Sequence, residues 1–506
     1  MNWSWLRGRR RRVAPAGGLP HDSAAQPARR KAARRILYAW LSVLIAGAAA
    51  GCTGSPGSTG QGRAAPAASP SPVFIATAAP DAPVGRQLAW LLRAVAGLPW
   101  SQQVIQAHFG SGFLAHVSPD ELNSGLEQNL ADLGASLRSS GASLTGLLWQ
   151  APAHDPVSLL AVAAFGPVKL AVGIAVDGAG LISGLTLRAY MSSWAKIDRD
   201  LAALAPGASL LAARVSSGGS CTPVHQVAAS AARPLASIFK LFVLGALARQ
   251  IAAGRVSWDQ KLTVTDALKS AGNIGPGYLQ NVPAGTRVPV QQTAAKMIAI
   301  SDNTATDMLI HLVGRSAVEA QFRQWSDHAA LNVPFLTGRE VFLLKILHYP
   351  ALANRYLRLA PGQRAAFLAS SVDPLPFSPA QVQEKLAQAG TEPRDIDTLE
   401  WFASPDDICR AFAGLQQLAA QPRLAPVGPI LSASGPVIWL DPTRWPTVWF
   451  KGGNEPGVLT LGYLATNGKG QTVVVAAMLS NPAAELSPAA GLELASLAQA
   501  AFGLVR

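Results

Sequence analysis

The apolar positions of the chain change period several times, and the changes mark out its regions. From Arg86 onward, Leu88, Leu91, Leu92 and Val95 recur on one face and predict an amphipathic helix. A second helix start is written at Ser118-Pro119-Asp120-Glu121, where Ser118 can cap, Pro119 suits the first turn and Glu121 completes a capping box. The period then shortens to strand-like runs at Leu144–Trp149, Val157–Phe165, Lys169–Asp177 and Leu181–Tyr190, with Asp177-Gly178 as a hairpin turn between the last two. Helices followed by a small antiparallel sheet predict an α+β domain over residues 84–191.

From residue 192 to 506 a second domain is expected. It opens with strands flanking Gly218-Gly219, enters an apolar helix at Ser237, and continues through a mostly helical middle broken by Gly- and Pro-rich loops. It closes with strands around Trp449–Phe450, Leu459–Leu464 and Val473–Leu479 and a helix near Pro488–Phe502. Strands at the two ends of a helical middle can join in one sheet with helices on its faces. No internal repeat is present.

Residues 53–83 are Ala, Pro, Gly, Ser and Thr with almost no periodicity, and read as a flexible tether. Residues 1–52 have the form of an export leader. Arg7–Arg12 and Arg29–Arg35 precede an apolar run from Ile36 to Ala50, which ends in Ala49-Ala50-Gly51-Cys52. Small residues directly before a Cys resemble the bacterial lipobox, which implies that Cys52 is lipidated and becomes the mature N-terminus. The expected location is therefore the outer face of the cytoplasmic membrane, with Cys52 as the anchor and the tether holding the folded part off the bilayer.

Composition changes this picture little. Of the 506 residues, 49% are hydrophobic and 14% charged, which supplies ample core and excludes wholesale disorder. The net charge of +13 invites a nucleic-acid reading, but residues 1–35 alone carry ten Lys and Arg against one acid, Asp22. From Cys52 onward 32 basic residues face 28 acidic ones, so the basicity belongs to the leader and no nucleic-acid partner is expected. Once Cys52 is set aside, Cys221 and Cys409 can form a disulfide or remain buried thiols, and the sequence leaves both open. His108, His116 and His154 have no metal-ligand spacing, and no zinc motif or phosphate loop appears, so no metal or cofactor is expected.

Three short motifs carry the chemistry. Ser237-Ile238-Phe239-Lys240 follows Arg233-Pro234-Leu235-Ala236 and runs into the apolar stretch Leu241–Ala248. A Ser at a helix start has its hydroxyl in the positive end of the dipole, and Lys240, one turn on, lies on the same face and can take the hydroxyl proton. To act as a base Lys240 must be neutral part of the time, which burial and nearby positive charge favour. Ser301-Asp302-Asn303 follows the helical stretch Gln291–Ile300; Ser301 can pass a proton to a leaving group, and Asn303 can hold a substrate amide or fix Lys240. Lys451-Gly452-Gly453 follows Val448-Trp449-Phe450 on a strand, where Lys451 favours anionic substrates and the glycines let a substrate approach the strand edge. Another Ser-x-x-Lys, Ser193-Trp194-Ala195-Lys196, lacks a comparable helix-initiating context and reads as chance.

In this order, Ser-x-x-Lys, Ser-Asp-Asn and Lys-Gly-Gly resemble the motif set of class A β-lactamases and penicillin-binding proteins. Ile298–Ile310, Trp258–Thr265 and Pro283-Ala284-Gly285-Thr286 resemble further stretches of that superfamily, and Ser404-Pro405-Asp406-Asp407 and Phe450-Lys451-Gly452-Gly453 resemble actinobacterial β-lactamase-like lipoproteins, among them a protein of clavulanic acid biosynthesis. The resemblance implies a three-layer α/β/α serine β-lactamase-like fold for 192–506 and a small cone-shaped, steroid-isomerase-like α+β domain for 84–191. It also implies an oxyanion hole from the backbone N–H groups of Ser237 and Asn454, with Gly453 and Lys451 lining the substrate.

The sequence departs from the class A pattern twice. No Glu aligns with the base that activates water against the acyl-enzyme, though Glu340, Glu384, Glu392 and Glu400 lie in the right interval. Gly452 stands where a Ser or Thr hydroxyl helps hold the β-lactam carboxylate. The expected function is acyl-enzyme hydrolysis of an amide or ester: a β-lactam, a D-alanyl peptide of the cell wall or a small ester. The rival is a non-catalytic β-lactam- or muropeptide-binding lipoprotein with slow or absent turnover. A third reading makes the N-terminal domain an adaptor for a partner or a hydrophobic ligand.

Overall fold

The computed structural model describes residues 74–75 and 79–505, apart from 116, 131–145, 151–157, 166–167, 190–192, 273–276, 436–437, 439 and 441–443. The expected leader, Cys52 and most of the expected tether lie outside the described residues, as do His116 and His154.

The N-terminal region pairs helices α1 (Pro83–Ala94), α2 (Gln102–His108) and α3 (Pro119–Asn129) with strands β2 (Gly146–Gln150), β3 (Ser158–Phe165), β4 (Val168–Val176) and β5 (Ile182–Ala189). The strands form one antiparallel sheet in sequence order, with a fifth, β1 (Phe74–Ile75), on its edge beside β2. That edge strand falls inside the stretch read as a tether; two residues give no period to read. The helices form where the apolar stripe and the caps placed them. Ser118 and Glu121 exchange hydrogen bonds at the start of α3, as a capping box does. Leu88, Leu91 and Leu92 of α1 pack on alternate residues Leu159, Ala161, Ala163 and Phe165 of β3, so the helix stripe and one sheet face close a single core.

The C-terminal region is built on a second antiparallel sheet of order β12-β13-β14-β6-β7. Strands β6 (Gly207–Val215) and β7 (Cys221–Val227) come from its beginning, and β12 (Thr447–Glu455), β13 (Val458–Thr466) and β14 (Thr472–Ser480) from its end. Nearly every residue of β13 and β14 is buried, because both faces are covered and each strand lies inside the sheet. On one face Leu210, Ala212, Val475, Ala477 and Tyr463 meet α4 (Trp194–Ala202) and the C-terminal α10 (Pro488–Leu504). On the other, Leu211, Ala213, Val474, Ala476 and Met478 meet the central helix α5 (Lys240–Ala252) and the helices around it: α6 (Val290–Ala299), α7 (Asn303–Val313), α8 (Arg315–Trp325) and α9 (Pro405–Ala419). The period-two alternation of β6 and β14 therefore makes three layers, helix on sheet on helix. Helix α4 was not expected from the sequence; Ser193 caps it, accepting from Lys196 N.

Cys221 of β7 and Cys409 of α9 are bonded, with Cα atoms 6.4 Å apart, which decides the alternative the sequence left open. The bridge staples the edge of the sheet to the helix packed beside it.

Candidate active site

Ser237 lies in a single 3₁₀ turn, Ala236–Phe239, that leads directly into α5. The preceding Ala236 takes φ of +44°, in the left-handed region that costs an L-residue on the order of 1 kcal/mol. Its methyl is buried against Ile396 and Val458, which holds the turn in that conformation. Leu235 N donates to Trp401 O at 2.8 Å, and Trp401 stacks on Phe239 at 3.8 Å, so the strand entering the turn is tied on both sides. The Ser237 side chain remains half-exposed in this rigid frame.

Lys240 is fully buried, and its Nζ lies 3.2 Å from Ser237 Oγ, 2.9 Å from Ser301 Oγ, 2.7 Å from Ser301 O and 2.7 Å from Asn303 Oδ1. An ammonium has three hydrogens for these oxygens. A neutral amine donates to the carbonyl and the amide and accepts a hydroxyl hydrogen at its lone pair. Burial works toward the neutral form, lowering the group to about 7 against the opposing charges of Asp302 and Asp307. Burial raises both carboxyls from their ordinary values, Asp307 to about 7, while the two backbone N–H groups on Asp302 work against its rise.

The second motif occupies the entrance to α7. Ser301 takes φ of +57°, turning its carbonyl and hydroxyl onto Lys240. Asp302 caps the helix: Oδ1 accepts from Ala305 N at 2.9 Å and Oδ2 from Leu279 N at 2.7 Å. Asn303 spans the site, accepting from Lys240 and donating from Nδ2 to Ala271 O at 2.7 Å. Of the two roles open to Asn303 from sequence, holding Lys240 is the one seen here.

The third motif lies on β12, the edge strand. Lys451 Nζ reaches Ser301 Oγ at 3.1 Å, so the two lysines share one hydroxyl. Burial, then the proximity of Lys240, hold Lys451 well below the ordinary lysine range. Gly453 is required by close approach: a Cβ there would fall 2.5 Å from Ser237 N and 2.6 Å from Leu235 O. Asn454 follows it, exposed on the edge. A Cβ at Gly452 would instead meet Phe450 at 2.9 Å and Leu461 at 3.7 Å, on the face away from Ser237. A hydroxyl at position 452 must be carried round the free edge to reach a ligand beside Ser237.

The arrangement can move a proton from Ser237 Oγ to Lys240 and pass one through Ser301 between the two lysines. Of the four glutamates in the candidate interval, two are paired with basic side chains and two are exposed. Glu340 closes a capping box with Thr337 and pairs with Arg315 at 2.6 Å. Glu384 and Glu392 are exposed, and Glu400 is buried against Lys345. Asp302 stood in the second motif without a role of its own and Asp307 was not singled out; their signal was their place at the start and on the inner face of α7.

Comparison with known proteins gives a match over part of the chain. Residues 200–342 match the model of the beta-lactamase enzyme family. The matched stretch holds Ser237, Lys240 and Ser301. Among solved structures, the chain is similar to a β-lactamase from Sphaerobacter thermophilus, at 22% identity over 62% of this chain and 99% of that one, with a TM-score of 0.40. It is similar also to the penicillin-binding protein PBP-A, at 18% identity over 61% and 95% with a TM-score of 0.39, and to a β-lactamase from Chitinophaga pinensis, at 15% over 61% and 97% with 0.38. No curated protein matches the chain by sequence.

Proposed function

We propose that the chain is an exported, lipid-anchored serine hydrolase that works through an acyl-enzyme on an amide or ester: a β-lactam, a D-alanyl peptide of the cell wall or a small ester. The observation that carries the reading is the fully buried Lys240, lowered to about 7, with Nζ 3.2 Å from Ser237 Oγ. Lys240 takes the Ser237 proton as Oγ bonds to the carbonyl carbon, and the carbonyl oxygen becomes an oxyanion facing the N–H groups of Ser237 and Asn454. As the carbon–leaving-group bond breaks, Ser301 delivers a proton to the leaving nitrogen or oxygen and is resupplied by Lys240. Water then attacks the ester, releasing the acid and restoring Ser237. An anionic substrate beside Lys451 raises that lysine toward its charged form, which links carboxylate binding to the protonation of the site.

The Cys221–Cys409 bridge supports an oxidising compartment, in keeping with export and anchoring at Cys52. For residues 84–191 the helices-then-sheet order supports the cone-shaped, steroid-isomerase-like reading, and with it a role as ligand-holding adaptor. One observation favours the rival reading of a binding protein with slow turnover: Glu340, a buried candidate in the short helix Gly338–Phe342, is committed to Arg315 and Thr337.

Intact-mass spectrometry after mixing with a penicillin, a cephalosporin and an activated ester tests the proposal. An adduct that is absent from Ser237→Ala supports it, and its lifetime separates hydrolase from trap. No adduct with any of the three, and no hydrolysis above the variant, contradicts it.

A further inference from the structure

A second ionic cluster is built from Lys345, Glu400 and Glu455. They come from three separate segments: the turn after the short helix Gly338–Phe342, the residue before Trp401, and the last position of β12. Lys345 Nζ pairs with Glu455 Oε1 and Oε2 at 2.9 and 2.8 Å and with Glu400 Oε2 at 3.5 Å. The Lys345 and Glu400 side chains are 3% and 1% exposed, Glu455 23%. Two carboxylates facing one ammonium would leave a net negative charge in this buried place. Burial, and then the charge of Glu455, push Glu400 well above the carboxylate range, while Lys345 is raised because Glu455 and Glu400 outweigh its burial. A proton on Glu400 would make the cluster neutral. Glu400 Oε1 is buried without a hydrogen-bond partner.

Each of the three segments touches the frame of the nucleophile. Glu455 stands two residues beyond Gly453 on the same strand face, so their Cα atoms are ~7 Å apart, and Gly453 is the residue pressed on Ser237 N. Val458, the cross-strand partner of Glu455, packs on Ala236 with Ile396. Glu400 precedes Trp401, whose carbonyl accepts from Leu235. The Lys345 carbonyl accepts from Arg394 Nη1 at 2.9 Å, joining its turn to the segment that leads into Ile396.

We propose that Lys345, Glu400 and Glu455 form an ionic knot whose task is to hold the Gly453–Asn454 edge of β12 against Ser237, making them positioning residues for acyl transfer. The proposal rests on the serine-hydrolase reading. It goes beyond that reading in assigning these residues to oxyanion geometry and not to water activation. A knot that sets the strand edge governs both bond-making at the carbonyl and its later hydrolysis, because the same N–H groups meet the oxyanion in each. A water-activating base governs the second alone.

The test is pre-steady-state kinetics of the folded protein with an activated ester, for Lys345→Met, Glu455→Gln and Glu400→Gln, each first checked by thermal melting. Lys345→Met and Glu455→Gln are expected to lower the acylation and deacylation rate constants together, by ~10- to ~100-fold, as displacement of a reacting group by about an ångström does. Non-covalent affinity is expected to hold. Glu400→Gln is expected to stay within about twofold of the parent, because a carboxamide donates where the neutral carboxyl does. An acylation rate unchanged in Glu455→Gln with a trapped adduct overturns the proposal in favour of a water-activating base. So does a Glu400→Gln variant as impaired as Lys345→Met, which would show that Glu400 works as an anion. No acylation in the parent protein would instead remove the serine-hydrolase reading beneath it.

Discussion

The chain contains the spacing Ser-x-x-Lys twice at helix starts, and the two copies do different things. Ser193 is an ordinary cap: its Oγ accepts from Lys196 N at 3.3 Å, and Lys196 pairs with Asp200 at 3.1 Å on the half-exposed side of α4. Ser237 sits inside a 3₁₀ turn, and Lys240 reaches back into the protein, where burial and not a carboxylate partner sets its charge. The motif fixes only that the two side chains share a face. Whether the lysine becomes a base depends on what surrounds its nitrogen: a carboxylate and solvent at Lys196, oxygens that accept without carrying charge at Lys240. The expectation that Ser193 lacks a helix start was thus mistaken, while the distinction it drew between the copies follows from burial.

The largest effect that would sharpen this contrast comes from the pair itself. Ser237→Ala is expected to abolish acylation and Lys240→Met to slow it by about 10³-fold or more, within the range for losing a general base that also holds its nucleophile. Ser193→Ala and Lys196→Met are expected to leave acylation unchanged, and a stopped-flow assay with an activated ester compares all four. Next is Gly453→Ala, whose new methyl must displace the Ser237 amide; a loss of about 10²-fold in acylation is expected, the scale of one lost oxyanion donor. Opening the disulfide by Cys221→Ser with Cys409→Ser should cost about 2–4 kcal/mol in a denaturant melt, with little change in acylation of the folded fraction. The smallest effect belongs to the other copy: Ser193→Ala should cost about 1 kcal/mol of stability through the lost cap of α4.

Much of this was legible in the sequence where local periodicity and packing agree. The runs read as strands at Val157–Phe165, Lys169–Asp177 and Val473–Leu479 fall on β3, β4 and β14, because alternation or unbroken apolar character matches one- or two-sided burial. The helix start at Ser118 was written in its cap. Helix α4 escaped because its apolar stripe is short, with only Ile197 and Leu201 buried. At the site, Ser237, Lys240, Ser301, Asn303 and Lys451 could be named from three motifs, and the structure brings them within hydrogen-bond reach of one another. The left-handed backbone at Ala236 and Ser301 could not be named, since neither residue type announces it. Nor could the Lys345–Glu400–Glu455 cluster, whose members are separated by 55 and 110 positions and meet only through the fold.

The most direct test of the central claim is the pH dependence of Ser237 acylation by a neutral activated ester. If Lys240 is the base, the rate constant rises with pH as the buried ammonium loses its proton and levels off above a midpoint near 7. The rising limb is absent in Lys240→Met. A rate that climbs unbroken toward the ordinary lysine range near 10.5, or a rising limb that survives in Lys240→Met, would contradict the account.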